Sequence, residues 1–180
     1  MAALPVQIER RPIVVVMGVS GSGKSTLGLA LARRLDLPFL DADDYHPASN
    51  VDKMSHGIPL TDDDRWPWLQ SLGRAMASQA DESGGVVATC SALKRSYRER
   101  ILQQVGKPLL FVFLDGDRGL LYTRMQQRSD HYMPPSLLDS QLADLQRPGE
   151  DEPVAAFSID QSIDHLVDEI VTHLDPAQGA

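Results

Sequence analysis

Residues 18–25 read Gly-Val-Ser-Gly-Ser-Gly-Lys-Ser. They lie between an unbroken apolar run, Ile13-Val14-Val15-Val16-Met17, and a stretch in which Leu27, Leu31 and Leu35 recur every fourth residue. A strand buried on both faces reads as a continuous apolar run, whereas a helix with one buried stripe repeats every three to four residues. Strand, glycine-rich loop and helix in this order constrain the fold more than any other feature of the chain. The glycines let successive backbone N–H groups turn inward around a polyphosphate, Lys24 reaches its β and γ phosphates, and the Ser25 hydroxyl can sit on a magnesium ion. A helix starting near Gly23 aims its N–H groups and the positive end of its dipole at the same place. Gly18, Ser20, Gly21, Ser22, Gly23, Lys24, Ser25 and Thr26 are therefore expected to bind a nucleoside triphosphate, with magnesium arriving on the nucleotide.

The remainder of the chain repeats the alternation of strand and helix. Pro38-Phe39-Leu40 enters a second strand ending at Asp41, and residues 42–64 are polar and rich in turn formers. Pro67 suits the first turn of a helix carrying Leu69, Leu72 and Met76 on one face. Residues 86–90 read as a third strand, followed by a helix with Tyr97, Ile101 and Val105, and residues 109–114 form a fourth strand. A helix over about residues 118–128 leads into the irregular segment Ser129-Asp130-His131-Tyr132-Met133-Pro134-Pro135, then a helical pattern with Leu138, Leu142 and Leu145. Residues 154–159 read as a last strand, and Ile163, Leu166, Val167, Ile170 and Leu174 make a closing amphipathic helix. Alternation of this kind predicts a three-layer α/β/α fold with a central five-stranded parallel sheet. At 180 residues one domain is expected, with residues 42–80 as an acceptor-binding segment and residues 118–150 as a helical lid insertion.

Composition narrows the partners. A net charge of −8 argues against nucleic acid. Cys90 is the single cysteine, so no internal disulfide is expected, and a reducing cytoplasmic setting follows as the default. No apolar stretch approaches the roughly 20 residues that span a bilayer, and no membrane partner is expected. The Asn-Lys-x-Asp signature of guanine-specific switches does not occur, and an ATP-driven machine generally needs a larger domain. A small kinase remains.

Ligands in an open parallel sheet sit beyond the carboxyl ends of the strands, so the residues after each strand describe the acceptor. After the second strand stand Asp41, Asp43 and Asp44, with Asp41 and Asp43 on one side if the chain stays extended. Carboxylates there repel a phosphate acceptor but favour an alcohol, whose proton must be taken as the P–O bond forms. Asp43 is assigned as the base and Asp41 as a magnesium ligand through its water shell; the two roles are interchangeable at this level. Lys53, Arg65, Lys94 and Arg98 are candidate contacts to an acidic acceptor, Lys94 and Arg98 being four apart on one helix face. Arg124 and Arg128 are likewise four apart before the lid and suited to charge on the transferring phosphoryl group.

The chain resembles the gluconokinases of the small shikimate-kinase-like group. The resemblance rests on the phosphate loop, on Leu40-Asp41-Ala42-Asp43 with His46-Pro47, on Asn50-Val51-Asp52-Lys53-Met54, on Gly57-Ile58-Pro59-Leu60-Thr61-Asp62-Asp63-Asp64-Arg65 with Pro67-Trp68-Leu69, and on Cys90-Ser91-Ala92-Leu93-Lys94 with Tyr97-Arg98. It implies ATP- and Mg2+-dependent phosphorylation of D-gluconate at its 6-hydroxyl by a cytoplasmic homodimer. It also implies that Arg124 packs on adenine, that Arg128 faces phosphate, and that His46 joins Asp43, Lys53, Arg65, Lys94 and Arg98 at the acceptor. Lys24, Asp43 and Arg128 are then the expected catalytic residues. The alternatives are a kinase for another small hydroxy acid such as shikimate, and a non-catalytic ATP-binding regulatory module.

Overall fold

A computed structural model of the chain describes residues 11–127 and 135–175. Five strands, β1 (Ile13–Met17), β2 (Phe39–Asp41), β3 (Val86–Thr89), β4 (Leu110–Asp115) and β5 (Val154–Ser158), form one sheet in the order β2-β3-β1-β4-β5. Every neighbouring pair is parallel. The reason β1 has no polar residue is now visible in its alternation. Ile13, Val15 and Met17 enter one core with Leu69, Leu72, Met76 and Ile101, while Val14 and Val16 enter the other with Leu27, Leu31 and Ile170. Helices α3 (Asp62–Ser83) and α4 (Arg95–Val105) cover the first face; α1 (Lys24–Leu35) and α7 (Ile163–Leu174) cover the second. This is the expected three-layer parallel architecture.

Two expectations need correction. Residues 42–64 are not simply irregular: a 3₁₀ turn occupies Ala42–Tyr45, α2 runs over Ala48–Ser55, and α3 already begins at Asp62. Thr61 is the cause of the early start, because its side chain accepts from the Asp64 N–H while the Asp64 side chain accepts from the Thr61 N–H. Pro67 consequently lies inside α3, in its second turn. That position gives up one intrahelical hydrogen bond, a cost that the reciprocal cap and the burial of Trp68, Leu69, Leu72 and Met76 offset.

In the region expected to be a lid, α5 (Arg118–Gln127) and α6 (Pro135–Asp144) are helical. Residues 128–134 lie outside the described residues, and with them Arg128 and the irregular segment up to Pro134. Among the described residues no helix is long and apolar enough to cross a membrane.

Candidate active site

The loop between β1 and α1 is shaped by backbone that only glycine adopts readily. Gly21 has φ 82° and Gly23 has φ 91°. A Cβ on Gly21 would stand 2.7 Å from Met125 Cγ, so the loop also packs too closely on α5 for any side chain there. Gly23 caps α1 without a side-chain hydrogen bond, and the first turn of α1 has no acidic residue. That helix end, with Ser25 and Thr26 exposed on it, fits an anion as the missing cap. Inside the loop the Ser22 hydroxyl donates to the Val19 carbonyl at 2.7 Å, and the Lys24 ammonium reaches the same carbonyl at 3.1 Å. Arg124 donates to the Ile159 carbonyl at 2.5 Å, which sets it over the loop following β5.

The carboxylates expected after β2 are present, but the chain there does not stay extended. Asp41 Oδ1 accepts the Asp43 N–H at 2.9 Å and closes the 3₁₀ turn. Loss of hydration raises the Asp43 carboxyl above its ordinary range; Asp41 adds to this, and His46 and Lys24 pull it back. Asp43 thus shares an electrostatic site with the donor-loop lysine. Its surface remains open to solvent, as a group that meets a substrate requires. His46 stacks on Trp68 with ring centroids 4.0 Å apart and contacts Asn50 Nδ2 at 3.3 Å. Trp68 in turn donates to the Ala42 carbonyl at 2.6 Å, fixing this aromatic wall to the turn that carries Asp43. Partial burial lowers the His46 pKa, with Asp43 opposing and Arg65 reinforcing the shift, which favours the neutral imidazole.

Three of the four predicted cations are engaged with acidic residues of α3. Lys53 donates to both oxygens of Asp64 at 2.9 and 2.8 Å. Together with the Thr61 N–H it holds the Asp64 carboxyl down at about 2. Lys94 donates to Asp62 Oδ1 at 3.3 Å, Tyr97 donates to the same oxygen at 2.5 Å, and Arg65 Nη1 stands 3.8 Å from it. The Tyr97 and Lys94 hydrogen bonds lower the Asp62 carboxyl, and Asp62 raises Lys94 in return. One carboxylate therefore already sits among an arginine, a lysine and a phenol. Such a set of donors is matched to an acid.

Arg98 is the correction among the site residues. It is 0% exposed, and its guanidinium is taken by Glu152 and by the Ala92, Leu93 and Gln146 carbonyls. Lys94 and Arg98 do not share a face toward this set of donors, because α4 begins at Arg95 with Lys94 as its cap, so Lys94 leaves the helix while Arg98 points inward. Arg98 is dropped from the acceptor set. Cys90, at the end of β3, is buried, and the loss of hydration pushes its thiol up to about 12, so it stays protonated.

Sequence reasoning missed Gln141 of α6. Its carboxamide grips the donor loop twice, accepting the Ser20 N–H at 2.7 Å and donating to the Ser20 hydroxyl at 2.9 Å. A signal existed: Gln141 falls at the third place after Leu138 in the stripe continued by Leu142 and Leu145, a polar residue on an apolar face. Asp62 and Tyr97 were missed as members of the cation cluster because nothing local distinguishes them from a helix cap and a core aromatic.

The chain is similar to known proteins over most of its length. A family model described as an AAA domain matches residues 13–148. The gluconokinase of Gluconobacter oxydans is 49% identical over 160 residues, covering 89% of each chain. The crystal structure of a gluconokinase from Sinorhizobium meliloti superposes with a TM-score of 0.82 at 45% identity, covering 92% of each chain. Shikimate kinase from Acinetobacter baumannii, at 18% identity and a TM-score of 0.55, is similar in fold alone.

Proposed function

The chain belongs to the gluconokinase family, and from that premise we propose that it transfers the γ-phosphoryl group of ATP to the 6-hydroxyl of D-gluconate, giving 6-phospho-D-gluconate. The observation that carries this reading is the pairing of two half-sites at the carboxyl ends of the strands. On one side a glycine loop opens the N-terminus of α1 to a polyphosphate; on the other, Asp43 neighbours His46, which is coupled to Arg65 of a cluster where Arg65, Lys94 and Tyr97 already surround a carboxylate. A sugar acid carries both of the groups that the second half-site addresses, a hydroxyl and a carboxylate.

In this mechanism the donor loop binds the triphosphate through its backbone N–H groups, and Lys24 leaves the Val19 carbonyl to follow charge onto the transferring phosphoryl group. The acceptor hydroxyl gives its proton to Asp43 as its oxygen bonds to phosphorus and the bond to the β-phosphate oxygen breaks. Ser25 and Asp41 would hold magnesium, which neutralises phosphate charge when bound. In this reading Arg124 is assigned to the adenine, Lys53 and His46 to the acceptor, and Arg128 to the phosphates. Residues 42–80 form the acceptor segment and residues 118–150 the lid of one domain. The family reading also carries a homodimer working in the cytoplasm.

A coupled assay that follows ADP production with ATP, magnesium and a panel of acceptors tests the proposal. Gluconate is expected to give the highest kcat/KM, with shikimate and neutral polyols poor. A better acceptor elsewhere in the panel overturns the substrate, and tight ATP binding without turnover on any acceptor overturns the enzyme.

A further inference from the structure

The geometry assigns Arg98 and Glu152 a positioning role: together they hold the segment over residues 91–94, with Ala92 left-handed, so that Lys94 is delivered to the cation cluster. Arg98 heads the largest side chains that are completely buried among the described residues. A guanidinium placed there is costly unless fully paired, and an apolar side chain would fill the same space with less loss. Full pairing is what the structure contains. Nε and Nη2 donate to the two Glu152 carboxylate oxygens at 2.7 and 3.1 Å, Nη1 donates to the Ala92 and Leu93 carbonyls at 2.9 and 3.2 Å, and Nη2 also donates to the Gln146 carbonyl at 3.0 Å. Glu152 takes a further hydrogen bond from the Gly149 N–H at 2.9 Å, and the Gln146 N–H donates to the Leu93 carbonyl at 2.8 Å. One planar fork therefore joins the turn after β3 to the segment that returns from α6 to β5.

What the fork holds is strained. Among the described residues other than glycine, only Asp36 and Ala92 have positive φ, and Ala92 has φ 46°. Asp36 ends α1, where a short polar side chain tolerates this region; alanine has no side-chain hydrogen bond to compensate. Strain of this kind persists where surrounding contacts over-determine the backbone, and it gathers at sites that need an exact geometry. Ser91, before Ala92, is tied separately to the donor loop by the Gly18 N–H at 3.3 Å, whereas the carbonyls that the fork holds, Ala92 and Leu93, lead to Lys94, which reaches Asp62 in the cation cluster. Lysine in place of Arg98 keeps the charge but cannot span two carbonyls and both oxygens of a carboxylate at once.

The acceptor arm of this inference rests on the proposed function, and the two fail separately. If the panel returns a different best acceptor, that reading falls, and the same comparison is run on the acceptor found. R98K is expected to raise the acceptor KM by about tenfold or more while the ATP KM moves by less than about threefold, the scale on which a small misplacement acts. In R98K/A92G, glycine adopts the left-handed turn without the fork, and the acceptor KM is expected to return to within about threefold of wild type. A role confined to stability predicts otherwise: both KM values unchanged at a temperature where R98K is folded, and no rescue by A92G. Parallel shifts of the two KM values, or failure of the double variant to recover, overturns the positioning role. Should R98K not fold, E152Q keeps Arg98 on its carbonyls and is expected to raise the acceptor KM by about threefold with the ATP KM unchanged; no shift there overturns it equally.

Discussion

The proposed donor loop presents its binding groups from the backbone of one contiguous turn, residues 18–25, whereas the proposed acceptor site draws on side chains from four separate segments. Asp43 comes from the turn after β2, Lys53 from α2, Arg65 from α3 and Lys94 from the loop after β3. The loop's geometry depends on glycine φ values and on one helix end; the acceptor site's geometry depends on Lys53 and Lys94 being held by Asp64 and Asp62. A backbone site tolerates little change in residue type at its glycines and takes only packing and positioning contacts from the rest of the chain, as at Met125, Ser91 and Gln141. A side-chain site is adjustable residue by residue, and that is where a family of kinases sharing one donor can diverge in acceptor.

The largest break in this comparison is at the donor. Lys24→Ala removes the one side chain that the loop contributes to the transferring phosphoryl group, and kcat is expected to fall by about 10²-fold or more. Full activity in a steady-state assay sinks the assignment of the loop. Asp43→Asn should cost about as much in kcat, on the order of 10²-fold, yet leave ATP affinity nearly unchanged when measured by calorimetry. The pH profile sharpens the second case. Asp43 acts as base only when ionised, and its carboxyl is raised by lost hydration and by Asp41, so wild-type kcat/KM should decline, as pH falls, at a pH above the ordinary Asp range. In Asp43→Asn that acidic limb is expected to vanish; a variant that keeps the limb assigns it to another group.

The same contrast explains what was legible in the sequence. A contiguous motif with its flanking strand and helix can be read without knowing the fold, and all five strands were found because each alternates or runs apolar in a way only a sheet requires. The position of Asp43 just beyond β2 was legible because a place after a strand follows from topology. Arg98 was misread because four-residue spacing from Lys94 implies a common helix face only if both residues are in the helix, and Lys94 is its cap. Gln141 carried only the faint signal of a polar residue on an apolar face, because its partner Ser20 lies 121 positions away and contact across that separation is a product of packing. The early start of α3 hung on the Thr61 and Asp64 cap, a signal that Pro67 five residues into the helix outshone.

An intermediate effect is expected at the carboxylate end of the acceptor. Lys94→Met keeps the length of the stem and removes the charge beside Asp62 and Arg65. The gluconate KM should rise by about tenfold while the KM for ATP holds, and the preference for gluconate over a neutral polyol should shrink by a similar factor. Unchanged discrimination would move the acceptor carboxylate away from this cluster and leave Lys53 as the next residue to vary.

The smallest effect separates the two half-sites by pH stability. Asp64 is held at about 2, below its ordinary 3.8, first by Lys53 and then by the Thr61 N–H. A depressed carboxyl stabilises the fold above the unfolded value, and that contribution is lost as pH falls through the folded value, so it drains between about 3.8 and about 2. The donor loop contributes no carboxylate of its own to that window, since residues 18–25 contain none. Asp64→Asn can keep an acceptor for the Thr61 N–H but loses the titration and the ion pair with Lys53. Its melting temperature, followed from pH 5 downward, is therefore expected to fall less steeply than that of the wild type, by a difference approaching one proton taken up on unfolding. Equal slopes would mean that Lys53 and Asp64 part before the fold does, and that the acceptor segment gives way ahead of the sheet on which the donor loop is mounted.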